Sequence, residues 1–249
     1  FAFGLPDESR GRLHGRNYQS RLLVFAAITL LFGILNPSFG QSISVRIDGN
    51  PETLDWNLAH TNKETYLLVN LMEGLVGLDA KLKIVPKLAS NWAVSRDGRT
   101  YTFVLKSKLK RSDGSKLTAK DFEFSWKRLL TPTTGASYAY LLYDIQGAKE
   151  FHQGKNGDFS KVGIRGLYDG TFQIPPNQPR PDWIYIPTFW ATFPLKEELV
   201  QKHGLAWARP GRMLSTGPFT LESSESDKKF TLKRNLHYHG RQGNLQQVE

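Results

Sequence analysis

The sequence predicts an α/β fold built on a mixed sheet, and three observations carry that expectation. Ile43, Val45 and Ile47 alternate with Ser44, Arg46 and Asp48, the two-residue period of a strand with one face buried. Apolar residues Leu67, Leu68, Leu71, Met72 and Leu75 recur at helical spacing. A second helix is announced by Thr118-Ala119-Lys120-Asp121, a capping-box pattern ahead of Phe122, Trp126, Leu129 and Leu130 on one face.

Taken in order, the first strand stops at Gly49-Asn50-Pro51, and the first helix begins near Lys63, with Gly74 placed to end it. Short extended segments follow at 75–78, 83–85 and 92–95. The turn Arg96-Asp97-Gly98-Arg99 joins the last of these to 100–106 as a hairpin. The helix after Thr118 pairs Glu123 with Lys127 on its outer face and ends at Pro132, which cannot extend it. A further helix is expected over 137–151, then strands at 161–164 and 171–174. Five prolines between Pro175 and Pro187 exclude a central strand there and predict an extended surface loop. A short helix at 197–203 and paired strands at 217–222 and 230–233 complete the reading.

Composition sets limits. The 249 residues, 39% apolar and 22% charged, are enough for one large core or two modest ones. The absence of cysteine excludes disulfides, thiolate metal sites, cysteine nucleophiles and a lipoprotein anchor. The net charge of +10 is dispersed. Its densest group, Lys106, Lys108, Lys110 and Arg111, reads as a solvated strand edge, so no nucleic-acid partner is expected. Arg16 and Arg21 precede an uncharged run over 22–35, then Pro37 and Ser38-Phe39-Gly40. This is a secretory signal pattern with cleavage expected between Gly40 and Gln41. Residues 1–40 are therefore read as extra amino-terminal residues plus a signal peptide.

Chemistry is scarce. G-x-S-x-G, H-E-x-x-H and G-x-x-x-x-G-K-[ST] are all missing, and the histidines do not gather into a metal-ligand set. His237 and His239 would share one face if 234–239 were extended, which supplies two ligands and no third. Glu73 and Asp121 have helix-end explanations. The expectation is no catalytic residue, no metal and no cofactor. What remains is a surplus of aromatics: Trp56, Tyr138, Tyr140, Tyr143, Trp183, Tyr185, Phe189, Trp190 and Trp207. They are divided between core and ligand cleft in a way the sequence leaves open.

An ordered set of segments resembles one family. These are T-L-D (53–55), L-M-E-G-L (71–75), P-K-L-A-S-N-W (86–92), D-G-R-T-Y-T-F-V-L (97–105), S-D-G-S-K-L-T-A-K-D-F (112–122), Y-A-Y-L-L-Y (138–143) and S-T-G-P-F-T-L (215–221). Together they resemble the amino-terminal half of a periplasmic substrate-binding protein of a bacterial ABC importer, in the dipeptide and oligopeptide branch (solute-binding family 5). The resemblance covers about 43–240. It weakens over 172–187 and at 235–239, where the family's N-P-x-Y-W is N-L-H-Y-H.

That resemblance implies a type II periplasmic-binding-protein architecture. A discontinuous lobe over 41–73 and 195–249 would receive a smaller inserted α/β domain over 74–194, with the second large lobe missing and the chain a truncated half. It implies capture of peptides in the periplasm, delivery to the ABC permease, no chemical step and a monomeric state. The loop between T-L-D and E-G-L would pair with the ligand backbone through His60, Thr61 and Asn62, and Tyr138 would face the ligand. Nickel, haem, an opine or a sugar on the same scaffold is the alternative ligand. A secreted peptidase or a peptide-sensing module is the alternative class.

Overall fold

The computed structural model describes residues 41–167, 170–225 and 228–249. The signal pattern at 16–40 lies outside the described residues. Among those residues no helix is long and apolar enough to cross a membrane.

Residues 41–249 form one compact unit. Its first sheet has the order β1-β10-β9-β8, from β1 (Gln41–Ile43), β10 (Leu245–Val248), β9 (Lys229–Arg234) and β8 (Phe219–Glu225). β1 runs parallel to β10, and the remaining pairs are antiparallel, so the sheet is mixed as expected. Helix α1 (Asn62–Leu71) packs near β8. A two-stranded ribbon joins β2 (Val76–Leu78) to β3 (Ile84–Pro86). The third sheet, β4-β5-β7-β6, uses Ala89–Val94, Tyr101–Leu105, Thr171–Ile174 and Arg165–Leu167. Helix α2 (Ala119–Leu130) lies along β6 and β7, and short helices α3 (Ala148–His152) and α4 (Glu197–His203) follow in the chain.

Two apolar clusters hold these elements. One is made by residues between Leu75 and Ala191, with Phe103, Phe122, Trp126, Phe172 and Trp183 at its centre. The other joins Leu54–Met72 to Phe193–Leu232 around Trp56, Leu68, Leu71 and Trp207. The indole of Trp126 meets Phe172 edge-on at 5.0 Å and donates to the Thr192 carbonyl at 2.8 Å, so its polar tip is satisfied in the dry interior. Trp190 packs against both clusters.

The hairpin of β4 and β5 and the helix starting at Ala119 match the sequence reading, as does the pairing of β8 with β9. Several other expectations are corrected. The first strand ends at Ile43 rather than running on to Gly49, and Ile43 and Val45 are half exposed. Gly74 does not cap α1, which closes at Met72. A Cβ on Gly74 would lie 2.2 Å from the Pro187 carbonyl oxygen, so the glycine serves close backbone approach. Glu123 does not pair with Lys127. It accepts from Lys120 at 2.8 Å and from the Gly166 amide at 2.7 Å, while Lys127 sits over the Phe159 ring. No continuous helix covers 137–151. A 3₁₀ turn at Ala139–Leu142 and α3 are separated by Gly147, whose φ of 73° breaks the helix where a side chain would strike the Lys161 carbonyl.

The strand expected at 161–164 is shifted to β6, after a 3₁₀ turn at Phe159–Lys161. The proline-rich stretch is no open loop. Pro181–Thr188 forms a 3₁₀ helix that buries Trp183 completely beside Tyr101 and Trp126. Arg111 is no edge cation either: it is buried and ion-paired with Asp121.

Candidate functional site

The loop leading into α1 is built on a buried acid. The Asp55 carboxylate accepts from the backbone amide of Asn57 at 3.2 Å, and the Asp55 carbonyl takes the amides of Leu58 and Ala59 at 2.9 and 2.8 Å. Its carboxylate receives Arg128 Nη1 at 2.8 Å, Arg128 Nη2 at 2.6 Å and the Trp207 indole N–H at 3.1 Å. Arg128 Nη1 also reaches Asn57 Oδ1 at 2.8 Å, and Asn57 Nδ2 donates to the Ala191 carbonyl at 2.9 Å. A carboxylate removed from water is tolerable only when its lone pairs are used this fully. The T-L-D segment is thus an anchor, and it fixes where residues 59–62 emerge.

Those residues form the start of α1. Thr61 is the N-cap: its hydroxyl accepts from the Lys63 amide at 3.2 Å, its amide donates to Glu64 Oε2 at 2.9 Å, and its carbonyl accepts from the Thr65 hydroxyl at 3.1 Å. Burial pushes the Glu64 carboxyl up, but the Thr61 hydroxyl and the amides of Glu52 and Thr61 outweigh it and hold the group below the usual range. Asn62 is exposed. His60 is exposed too, with Nδ1 3.3 Å from the Leu58 carbonyl and Nε2 3.8 Å from Glu52.

The structure places Tyr138 beside this loop, its hydroxyl donating to the His60 carbonyl at 3.3 Å. The ring of Tyr138 stands edge-to-face against Phe189 at 4.8 Å and Trp190 at 5.7 Å, which are themselves stacked at 3.7 Å. The Trp190 indole N–H donates to the Ala59 carbonyl at 3.3 Å. Four residues chosen from sequence, His60, Thr61, Asn62 and Tyr138, therefore share one corner. Of their backbone acceptors, that of His60 takes the Tyr138 hydroxyl and keeps a second lone pair, while that of Thr61, the N-cap, takes the Thr65 hydroxyl beside the first turn of the helix.

A second polar cluster lies at the junction of the two apolar clusters. Glu73, buried, accepts from Lys87 Nζ at 3.1 Å, Tyr238 Oη at 2.9 Å and His239 Nε2 at 2.6 Å. Lys106 Nζ lies 3.3 Å from His239 Nδ1. An ammonium can only donate, so Nδ1 accepts and Nε2 carries the hydrogen that Glu73 receives. Burial alone would raise the Glu73 carboxyl, yet the His239 hydrogen bond, the Lys87 charge and Tyr238 together hold it below its ordinary value. Desolvation lowers the Lys106 ammonium and raises the Tyr238 phenol, the latter helped by the Glu73 charge.

Glu73 follows the C-cap of α1 directly, but its partners Lys87, Tyr238 and His239 come from distant segments, so its place at a helix end does not account for it. The stretch 235–239 is not extended, because Asn235 Oδ1 accepts from the His237 amide and turns the chain. His237 then approaches Gly114 while His239 reaches Glu73. Among the described residues no group of three or more His, Asp and Glu could hold a metal ion. Sequence reasoning missed Arg128 and the Phe189–Trp190 pair as members of the corner. Arg128 carried no signal beyond its place on α2, whereas F-W beside Thr188 was visible as an aromatic pair of unknown side.

Comparison with known proteins bears on all of this. Residues 83–249 match the family described as bacterial extracellular solute-binding proteins, family 5. The probable deoxycholate-binding periplasmic protein of Escherichia coli is 34% identical over 80% of this chain and 38% of its own length. A dipeptide-binding protein of Lactococcus lactis is 31% identical over 89% of this chain and 42% of its length. Among solved structures, the E. coli murein tripeptide binding protein superposes with a TM-score of 0.79 at 30% identity. Haemophilus influenzae OppA in complex with the peptide RPPGFSPFR also gives 0.79, at 28% identity. Each superposition covers 84% of this chain and 41% of the other. The chain spans about two fifths of the length of the relatives it matches.

Proposed function

The chain belongs to the bacterial extracellular solute-binding proteins of family 5, and on that premise we propose that it captures peptides outside the cytoplasm for delivery to the permease of an ABC transporter. Of the relatives named above, one is a dipeptide-binding protein, one a murein tripeptide binding protein, and one was solved in complex with a peptide. The observation that carries the reading is the corner at 59–62 and Tyr138, where exposed backbone at the start of α1 meets a half-buried aromatic wall. An extended peptide laid along such an edge gains main-chain hydrogen bonds and rests its side chains on rings.

In this reading residues 41–73 and 195–249 form one lobe and 74–194 a smaller inserted domain. The separation of the two apolar clusters supports that division. The facing wall belongs to the larger part of the relatives' length, which lies outside the match. Export through the signal pattern at 16–40, a monomeric state and the absence of a chemical step belong to the same proposal. Amino-terminal sequencing of exported material should find Gln41 or a near neighbour first, and recovery of an intact 22–35 run would sink that part.

Calorimetry with a pool of tri- to pentapeptides tests the function. The 249-residue chain should bind weakly, since an open wall leaves the ligand mostly bonded to water. A chain extended to the relatives' length should bind far more tightly and lose affinity on Tyr138→Ala. Tight binding by the 249 residues alone would place the ligand elsewhere. A second reading, a rigid amphipathic solute in place of a peptide, is supported by the relative named as a probable deoxycholate-binding protein.

A further inference from the structure

The polar tips of the aromatic corner are already spent inside the protein. The Tyr138 hydroxyl goes to the His60 carbonyl and the Trp190 indole N–H to the Ala59 carbonyl, each at 3.3 Å. Phe189 has no polar atom to offer. The imidazole of His60 is directed at Leu58 and Glu52. What the corner presents outward is ring face and ring edge, extended by Tyr140, 56% exposed, with its centroid 6.2 Å from that of Tyr138.

We infer that Phe189 and Trp190, with Tyr138, form a subsite that selects an apolar or aromatic group of the bound ligand. The inference rests on the proposal that this wall faces the ligand. The physical reason is a difference in desolvation. An apolar side chain laid on these rings gives up water that it binds poorly, and an aromatic one adds edge-to-face contact. A lysine or aspartate side chain laid on the Phe189 and Trp190 rings loses hydration and meets no opposite charge there, only a weak cation–π attraction for the lysine. Rings held by two hydrogen bonds and by each other are ordered before the ligand arrives, so little side-chain entropy remains to be lost. Trp190 also rests on both apolar clusters, which fixes its plane relative to the loop.

The test is ligand titration of the 249-residue chain followed through its tryptophan indole N–H resonances, with millimolar Ala-Phe-Ala, Ala-Leu-Ala, Ala-Lys-Ala and Ala-Asp-Ala, and deoxycholate as a non-peptide probe. The Phe and Leu peptides should shift the Trp190 resonance and bind about tenfold tighter than the Lys and Asp peptides. Phe189→Ala should erase that preference. Trp190→Phe keeps an aromatic ring while losing the five-membered ring and its N–H, so it should retain the preference, measured as the ratio of affinities by calorimetry, where Trp190→Ala fails to fold. Equal affinity for all four peptides would overturn the selectivity while leaving peptide capture standing. Shifts with deoxycholate and none with any peptide would overturn peptide capture and support an apolar subsite. Charged peptides binding best would overturn the inference outright.

Discussion

Arg128 and Asp55 meet in a two-pronged ion pair, Nη1 to Oδ1 at 2.8 Å and Nη2 to Oδ2 at 2.6 Å, with the carboxylate almost wholly withdrawn from solvent. The pair ties α2, in the first apolar cluster, to the loop that starts the candidate site. Arg128→Met should cost about 3–5 kcal/mol, because it strands a buried charge. Adding Asp55→Asn should recover part of that loss. Urea denaturation of the single and double variants measures the coupling, and strictly additive losses would show that the pair does not act as one unit.

Trp126→Ala should destabilise by about 3–5 kcal/mol, since a filled position against Phe172 and Trp183 becomes a cavity and the Thr192 carbonyl loses its donor. Thr118→Ala should cost only about 1 kcal/mol through the cap. A near-neutral Trp126→Ala in thermal or chemical unfolding would contradict the core assignment.

Glu73 makes stability depend on acid. Its folded carboxyl titrates below the ordinary range, so its contribution is fully present above that range and disappears as pH falls through the lowered value. Glu73→Gln should therefore be clearly less stable than the parent chain near neutrality, with the gap closing as pH falls below the ordinary carboxylate range. Denaturation midpoints across that range decide it; a gap that widens on acidification would reverse the sign.

Gly74→Ala should destabilise by about 1–3 kcal/mol or more, since the added methyl would meet backbone, the Pro187 carbonyl, and backbone cannot rotate aside. Gly157→Ala, with nothing within 4 Å of the new atom, should stay within about 0.5 kcal/mol of the parent. Similar losses for both would mean that the close approach is not rigid.

The parts of the fold legible beforehand were those coded by local pattern. The Thr118 capping box, the Asp97-Gly98 hairpin and the periodicity after Lys63 each name their own element. The parts that were not legible depend on distant partners. Arg111 looked like a surface cation until Asp121, ten positions on, was folded against it. Trp183 looked like a loop residue because prolines exclude strands, but they do not exclude a 3₁₀ turn that drives an indole inward. The candidate corner was half readable: His60 and Tyr138 came from a resemblance, while Trp190 joined them through ring contact with Tyr138 and a hydrogen bond spanning 131 positions.

The parallel pairing of β1 with β10 sets a clock. Gln41 aligns with Leu245, and the Val45 amide donates to the Glu249 carbonyl at 2.7 Å. At a synthesis rate of about 5–20 residues per second, β1 leaves the ribosome roughly ten seconds or more before its neighbour exists. A contact of such long separation closes late, after the hairpins and capped helices have formed. The β1–β10 seam is thus sewn after the local elements of this unit, and in the interval before it closes Ile43 and Val45 are most available to other chains.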